Sequence, residues 1–416
     1  MNPSKAFQHF LENGAAEEYA NSLLALTQYE HDNRSRLVEE CSQAFLALFR
    51  TISQGQSRGG KGTIRYIFCS FLYTSLQAGQ GMYRLDAYDQ EWFFDPMECT
   101  ADYNAKWAYD FLHELCDRLN EKRKKYAGRI TRYDIDLFKR LEANKFSVYV
   151  EAVAREAVKA AVKSPEFAAI AKENFLEIFF GEYKDQCRPI YCHDTRLKDI
   201  ENIKKQLAEK STDGAAFSVW EKLDFSGMKF DQTDLRYARL TGSTIDNAAF
   251  DQAMLWGVDF THTQIVDSGF IRNEMPGADF SHAKITSSRF SYVNGEPCGL
   301  EREAYIGSIP PARFYKANLE QVHCYESLLN WVSFLEAELT ECVFTNCDMQ
   351  RVNFQGASLK DCTFRSTDLR EADFRGVTIM NCDFSTSALE GAIFSPGTDL
   401  GQFGLTAEQQ LQVILQ

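Results

Sequence analysis

The chain has 416 residues, enough for two or three domains with separate cores, and its 44 % hydrophobic and 25 % charged content is ordinary for a soluble globular protein. The formal charge of −14 is unevenly placed: residues 211–416 hold 15 Lys and Arg against 28 Asp and Glu, a balance of −13, which leaves 30 against 31, or −1, in residues 1–210. The acidic half argues against nucleic-acid binding there, no apolar run reaches the ~18 residues of a membrane span, and the opening MNPSKAFQHF lacks the regions of a secretory signal.

Residues 1–210 read as a mainly α-helical domain. Val38, Cys41, Phe45, Leu48 and Phe49 recur at helical spacing, as do Trp107, Phe111, Leu115 and Leu119. Between these helices, residues 81–104 read as a strand-and-turn excursion in which Tyr83, Leu85 and Ala87 alternate. GQSRGGKGT at 55–63 nearly spells a phosphate-binding loop. However, Gly62 stands where magnesium needs a Ser or Thr, and the preceding FLALFRTISQ looks helical, so a flexible basic interhelix loop is predicted. EKRKK at 121–125 reads as a solvated helix end. CRPIYCH brings Cys187, Cys192 and His193 close together, but the spacing is loose for zinc and a second ligand pair is missing, which predicts thiols packed at a helix junction. Leu197, Ile200, Ile203 and Leu207 mark a last amphipathic helix, placed to cap the second half of the chain. No nucleophile elbow, HExxH or Gly-rich dinucleotide motif occurs, so no catalytic residue, metal or cofactor is assigned and the chain is not expected to be an enzyme.

The second half is a repeat. Every fifth residue from Phe225 to Phe290 is large and apolar, and after an interruption at 291–313 the pattern resumes one residue out of phase and runs from Phe314 to Phe394, with only Cys324 small. Neither a helix nor a strand generates a period of five. Two positions before each centre sits a small residue, Ala, Val, Ser, Thr or Cys, and both must face inward. GADFS, YKANLE, GASLK and EADFR resemble the pentapeptide-repeat family over about 170 residues.

That resemblance implies a right-handed quadrilateral parallel β-helix over 215–400, four pentads to a coil. A coil of twenty residues stacks Phe230, Phe250, Phe270 and Phe290; Ile245, Ile265 and Ile285; Leu319, Leu339, Leu359 and Ile379; and Phe334, Phe354, Phe374 and Phe394. Nearly eight coils about 4.8 Å apart would make a rod roughly 40 Å long. Cys342, Cys362 and Cys382 fall into one column at the small inward position, with Cys347 on the next side. They read as small hydrophobes, and twelve cysteines without a secretory signal suggest free thiols in a reducing, cytoplasmic setting. His262 and His282 stack on an outer face, too few ligands for a metal site. A helix at 405–415, capped by Thr406 and Gln409, would cover the last coil or join two copies as a homodimer.

These features point to three function classes. The first is a non-catalytic bacterial interaction module, an acidic rod and its 291–313 loop joined to a helical domain that binds a protein partner. The second, implied by the resemblance, is a DNA mimic acting on a type II topoisomerase such as gyrase; acids stack at Asp231 and Asp251 and at Asp348 and Asp368, but Ile271 and Ala388 break the columns. The third is a secreted bacterial effector, without the catalytic domain that ubiquitin-ligase members carry after the repeats.

Overall fold

The computed structural model describes residues 3–209, 215–297, 309–403 and 405–416. They form two units, one of the described residues up to 196 and the other of those from 197 to 297 and from 309 onward.

In the first unit, α1 (Pro3–Phe10) runs through a π turn at Leu11–Ala15 into the long α2 (Ala16–Ser57). Next come β1 (Ile64–Phe71), α3 (Tyr73–Gln77), β2 (Met82–Tyr88), β3 (Thr100–Asn104), α4 (Lys106–Lys122), α5 (Arg132–Ala161), α6 (Pro165–Ala169), β4 (Lys172–Glu182) and β5 (Cys187–Asp194). The strands make one five-stranded sheet in the order β3–β2–β1–β4–β5, with β1 and β4 parallel and the other neighbours antiparallel.

Residues 1–210 are mainly helical, as the periodicity predicts, and the sheet is an addition to that reading. The region is helical but built around five strands, and CRPIYCH is strand β5 rather than a helix junction. The strand period places Ile67, Cys69 and Phe71, Tyr83 and Leu85, and Leu176, Ile178 and Phe180 in the core shared with Phe45 and Leu48 of α2, Leu112 of α4 and Phe146 of α5. Intervening residues, among them Phe68, Ser70, Asp86, Tyr88 and Phe179, turn to the other face. There the turn at Trp92–Phe94 and the β4–β5 connection pack on them. IRYIFCSF is buried on both faces, and that erases the polar–apolar alternation by which a strand is recognised.

The GGKGT segment is likewise not a flexible basic loop. Lys61 is buried, and its ammonium donates to Asp95 Oδ2, the Ala87 carbonyl and the Met97 carbonyl, each at 2.6 Å. Asp95 in turn accepts the backbone N–H groups of Asp89 and Met97. One lysine thus pins the whole 89–97 connection onto the edge of the sheet.

The second unit opens with α7 (Ile200–Ala208), capped by the Asp199 carboxylate on the Asn202 N–H. Ile203 and Leu207 are buried in the same cluster as Trp220, Phe225 and Leu240. Beyond it lies a parallel β-solenoid of about eight turns, in which each strand pairs with the segment twenty residues on, as Ile245 with Ile265 and Ile265 with Ile285. Ladders of seven and six short strands line two sides, and single bridges such as Arg239 to Asp259 and Met254 to Glu274 tie the others.

At the interruption Phe280 stacks on Phe314, 34 residues on instead of 20, so the excursion adds 14 residues. The coil itself continues to Gly295, which donates to the Leu328 carbonyl and accepts from the Ala312 N–H, closing the neck. Residues 298–308, the middle of the predicted binding loop, lie outside the described residues.

The C-terminal helix is α8 (Ala407–Gln412), shorter than 405–415, and opens with the Thr406–Gln409 capping box. The Gln409 amide then donates to the Phe384 and Ser387 carbonyls, satisfying backbone that the last coil would leave open. Ile414–Leu415 leave the helical path because Ile414 N–H finds the Ala392 carbonyl at 2.8 Å, which adds a final parallel strand to Ile393–Phe394.

Candidate functional site

The solenoid is filled by its centres. The rings of Phe230, Phe250, Phe270 and Phe290 stack with centroids 4.6 Å apart, and those of Phe334, Phe354, Phe374 and Phe394 at 4.9–5.2 Å. Neighbouring columns meet edge to face, as Phe270 meets Phe280 at 83°. All eight of these rings are buried.

Cys342, Cys362 and Cys382 occupy the small inward position and are free thiols, as is Cys347. Cys342 and Cys362 make both contacts a hydroxyl makes elsewhere in the repeat, and Cys347 and Cys382 the one to the carbonyl two residues back. Ser268 donates to the carbonyl two residues back and to that of Ile245 in the preceding coil, Thr367 to Arg365 and Phe344, and Cys362 to Lys360 and Leu339. The neighbouring Cys342 thiol raises the Cys362 pKa to about 12, and burial raises that of Cys347 to about 11, so both stay protonated and unreactive at neutral pH. Among the described residues no group of three or more His, Cys, Asp or Glu side chains is arranged to hold a metal. His262 and His282 stack at 4.9 Å, and Tyr315 meets His282 edge-on.

Two features of the outer surface escaped the sequence reading. The first is the acid preceding many centres, which closes the turn. Asp224, Asp259, Asp279, Asp368, Asp373 and Asp383 each accept the backbone N–H two residues on. The Ser226 hydroxyl and N–H lower the pKa of Asp224, and Ser385 does the same for Asp383. Groups with depressed folded pKa values contribute stability that is complete above the ordinary carboxylate value and is lost as pH falls through the folded one. The solenoid is therefore expected to keep its stability down to about pH 4 and to lose it progressively below. A circular-dichroism melt series from pH 7 to pH 2 reads this out; a midpoint that begins to fall well above pH 4 contradicts it.

The second feature is charge pairing. Asp234 with Arg236, Asp279 with Arg313, Glu336 with Lys316, Glu371 with Arg351 and Asp373 with Arg375 form ion pairs across and along the coils. Against this polar background, exposed apolar side chains gather beside the neck of the excursion. Tyr292 meets Tyr325 edge to face at 5.6 Å, Leu328 is exposed, and Trp331, 47 % exposed, lies under the Arg351 guanidinium at 4.8 Å.

The pentapeptide repeat region family matches residues 311–394. Among solved structures, the chain is similar to HetL, a pentapeptide repeat protein involved in heterocyst differentiation regulation from the cyanobacterium Nostoc sp. strain PCC 7120, at 16 % identity over 49 % of this chain and 99 % of that one, with a TM-score of 0.21. It is also similar to QnrB1, a plasmid-mediated fluoroquinolone resistance protein, at 14 % identity over 48 % and 90 %, TM-score 0.24. A third similarity is to Rfr23 from the cyanobacterium Cyanothece 51142, at 18 % identity over 28 % and 91 %, TM-score 0.16. No curated protein matches the chain. The five-residue periodicity, the coil register and the family match agree that the chain carries a pentapeptide repeat region, in a parallel β-solenoid of about eight turns that follows a helical N-terminal region.

Proposed function

We propose that the chain is a non-catalytic protein–protein interaction scaffold, a rigid acidic solenoid that presents a surface to a protein partner and is coupled to a helical N-terminal region. The observation that carries this reading is the exposed cluster of Tyr292, Tyr325, Leu328 and Trp331, with Arg351 stacked on the tryptophan. Tyr, Trp and Arg are the residues that dominate binding energy at protein interfaces. The interior is filled by side chains and the coil-to-coil hydrogen bonds are made, so what the solenoid offers a partner is surface. Pairing of so many carboxylates with Arg and Lys favours a scaffold over a continuous mimic of DNA phosphates. Exposed Leu411, Ile414 and Leu415 at the C-terminal end give a second copy a place to meet the first. The free thiols fit a reducing compartment such as the cytoplasm.

The test is affinity capture with the full-length chain and its Tyr325→Ala, Trp331→Ala double variant. The principal captured protein is expected to fall by about tenfold or more with the variant. Equal recovery would overturn the reading, provided the variant melts at the wild-type temperature.

A further inference from the structure

The face of the N-terminal sheet turned away from the helices encloses a cavity of about 170 Å³. Its floor is set by strand register. Phe68 of β1 stands between Asp86 of β2 and Phe179 of β4, with Ser70 and Tyr88 beside them. Trp92 and Phe93 form one wall; Tyr183 and Lys184, from the β4–β5 connection, form the other.

Two properties mark this as a built site. The first is Asp86, which is only 4 % exposed. Its Oδ1 accepts from Arg84 Nε at 3.0 Å, but no donor among the described residues reaches Oδ2. A buried carboxylate oxygen without a protein donor is costly, and each such group calls for a partner or a role: a ligand, an ion, water or a catalytic step. Burial lifts its pKa above the ordinary carboxylate value, against the pull of Arg84. The second property is the wall. Trp92 and Phe93 sit on a connection that the buried Lys61–Asp95 pair holds in place, so the aromatic surface is preformed.

The surrounding chemistry selects the ligand. The charged groups around the cavity are Asp86, Glu98 and Asp185 against Arg84 and Lys184, a balance of −1. Lys184 already carries its ammonium over the Phe93 and Tyr183 rings, 5.8 and 5.4 Å from their centroids, so this rim accepts a cation. We infer that the cavity binds a small organic amine, its ammonium donating to Asp86 Oδ2 and its apolar body lying against Phe68, Phe179 and Trp92. With liquid water taking about 30 Å³ per molecule, the volume suits a single-ring amine.

The test is calorimetric titration of the full-length chain at neutral pH with benzylamine, benzyl alcohol and benzoate, which share a ring and differ in charge. Benzylamine is expected to bind about tenfold or more tightly than either. Asp86→Asn should remove that advantage and leave the alcohol unchanged. Trp92→Ala, at a partly exposed rim position, should weaken the amine and the alcohol together, because both lay the same ring against it. If Asp86→Asn does not fold, the wild-type amine-to-alcohol ratio and the shared loss in Trp92→Ala decide the matter. The inference fails if benzylamine gives no binding at millimolar concentration, if benzoate binds as well or better, or if a folded Asp86→Asn keeps the amine preference.

Discussion

Replacing Phe270 by alanine is expected to destabilise the solenoid by about 3–5 kcal/mol. Its ring is fully buried between those of Phe250 and Phe290, 4.6 Å from each and within 5° of parallel to both. Phe260 and Phe280 meet it edge-on at 6.0 and 5.9 Å. Truncation removes the apolar burial and all four ring contacts. The surrounding walls cannot collapse into the space, because the strand at Gly269–Ile271 is held in register by coils on both sides. Phe270→Leu keeps most of the volume, and Cys324 at the equivalent centre of a later coil shows the column accommodating a non-aromatic residue. That variant is expected to lose about 1.5 kcal/mol or less. Urea unfolding followed by circular dichroism measures both; an alanine variant within about 1 kcal/mol of wild type would mean that the column relaxes around the gap.

The solenoid was legible because its constraint is local and repeats. One large and one small inward residue in every five is a pattern that the interior itself imposes, and the columns result from the twenty-residue coil. What left little mark is the backbone at the corners. The residue two after nearly every centre is left-handed, whether Gln232, His262, Arg272, Trp331 or Glu371; Thr386 and Pro396, in the last coil, are the exceptions. Such residues adopt φ near +60° at a cost that Gly avoids, and here the hydrogen bonds of the adjoining coils hold them there. Glycine takes seven of these corners, but residues as different as Tyr237, Glu336 and Lys316 take others, so the composition signal is weak. At Gly257 there is a further reason for glycine: a Cβ there would lie 2.6 Å from the Tyr237 ring. The cysteine column could be read as small inward residues, but the thiol hydrogen bonds to carbonyls 23 positions earlier depend on the stacking of coils.

The N-terminal unit was less legible because its sheet is assembled from distant segments. Its parallel core pair, β1 and β4, is separated by about a hundred residues that contain α4 and α5. The alternation at Tyr83, Leu85 and Ala87 revealed β2, whose outer face carries polar Arg84 and Asp86. β1 and β4 carry Phe68 and Phe179 on that face and so read as plain apolar runs. Asp86 is illegible in the sequence for a related reason: an acid alternating with apolar residues has the pattern of a solvated side chain, and only the fold brings the aromatic walls around it.

Lys61→Met is expected to destabilise the N-terminal unit by about 3–5 kcal/mol. GGKGT read as part of a flexible basic loop, yet the lysine side chain is 0 % exposed and that of its partner Asp95 2 %. Burying such a pair is offset only by close geometry and additional hydrogen bonds, both of which are present. Methionine fills a similar volume but leaves Asp95 charged, buried and without its cation, and it leaves the Ala87 and Met97 carbonyls without their donor. Asp95→Asn in the same background removes the stranded charge while keeping an acceptor for the Asp89 or Met97 N–H. The double variant is therefore expected to be more stable than Lys61→Met alone, with an interaction energy of about 2 kcal/mol or more in the cycle. Chemical unfolding of the four proteins measures it. Strictly additive effects would show that lysine and aspartate act independently. Because the same pair anchors the connection carrying Trp92 and Phe93, Lys61→Met should also weaken benzylamine binding under conditions where the variant remains folded. A loss of stability without loss of binding would show that the aromatic wall is held by Phe68 and Tyr88 rather than by the ion pair.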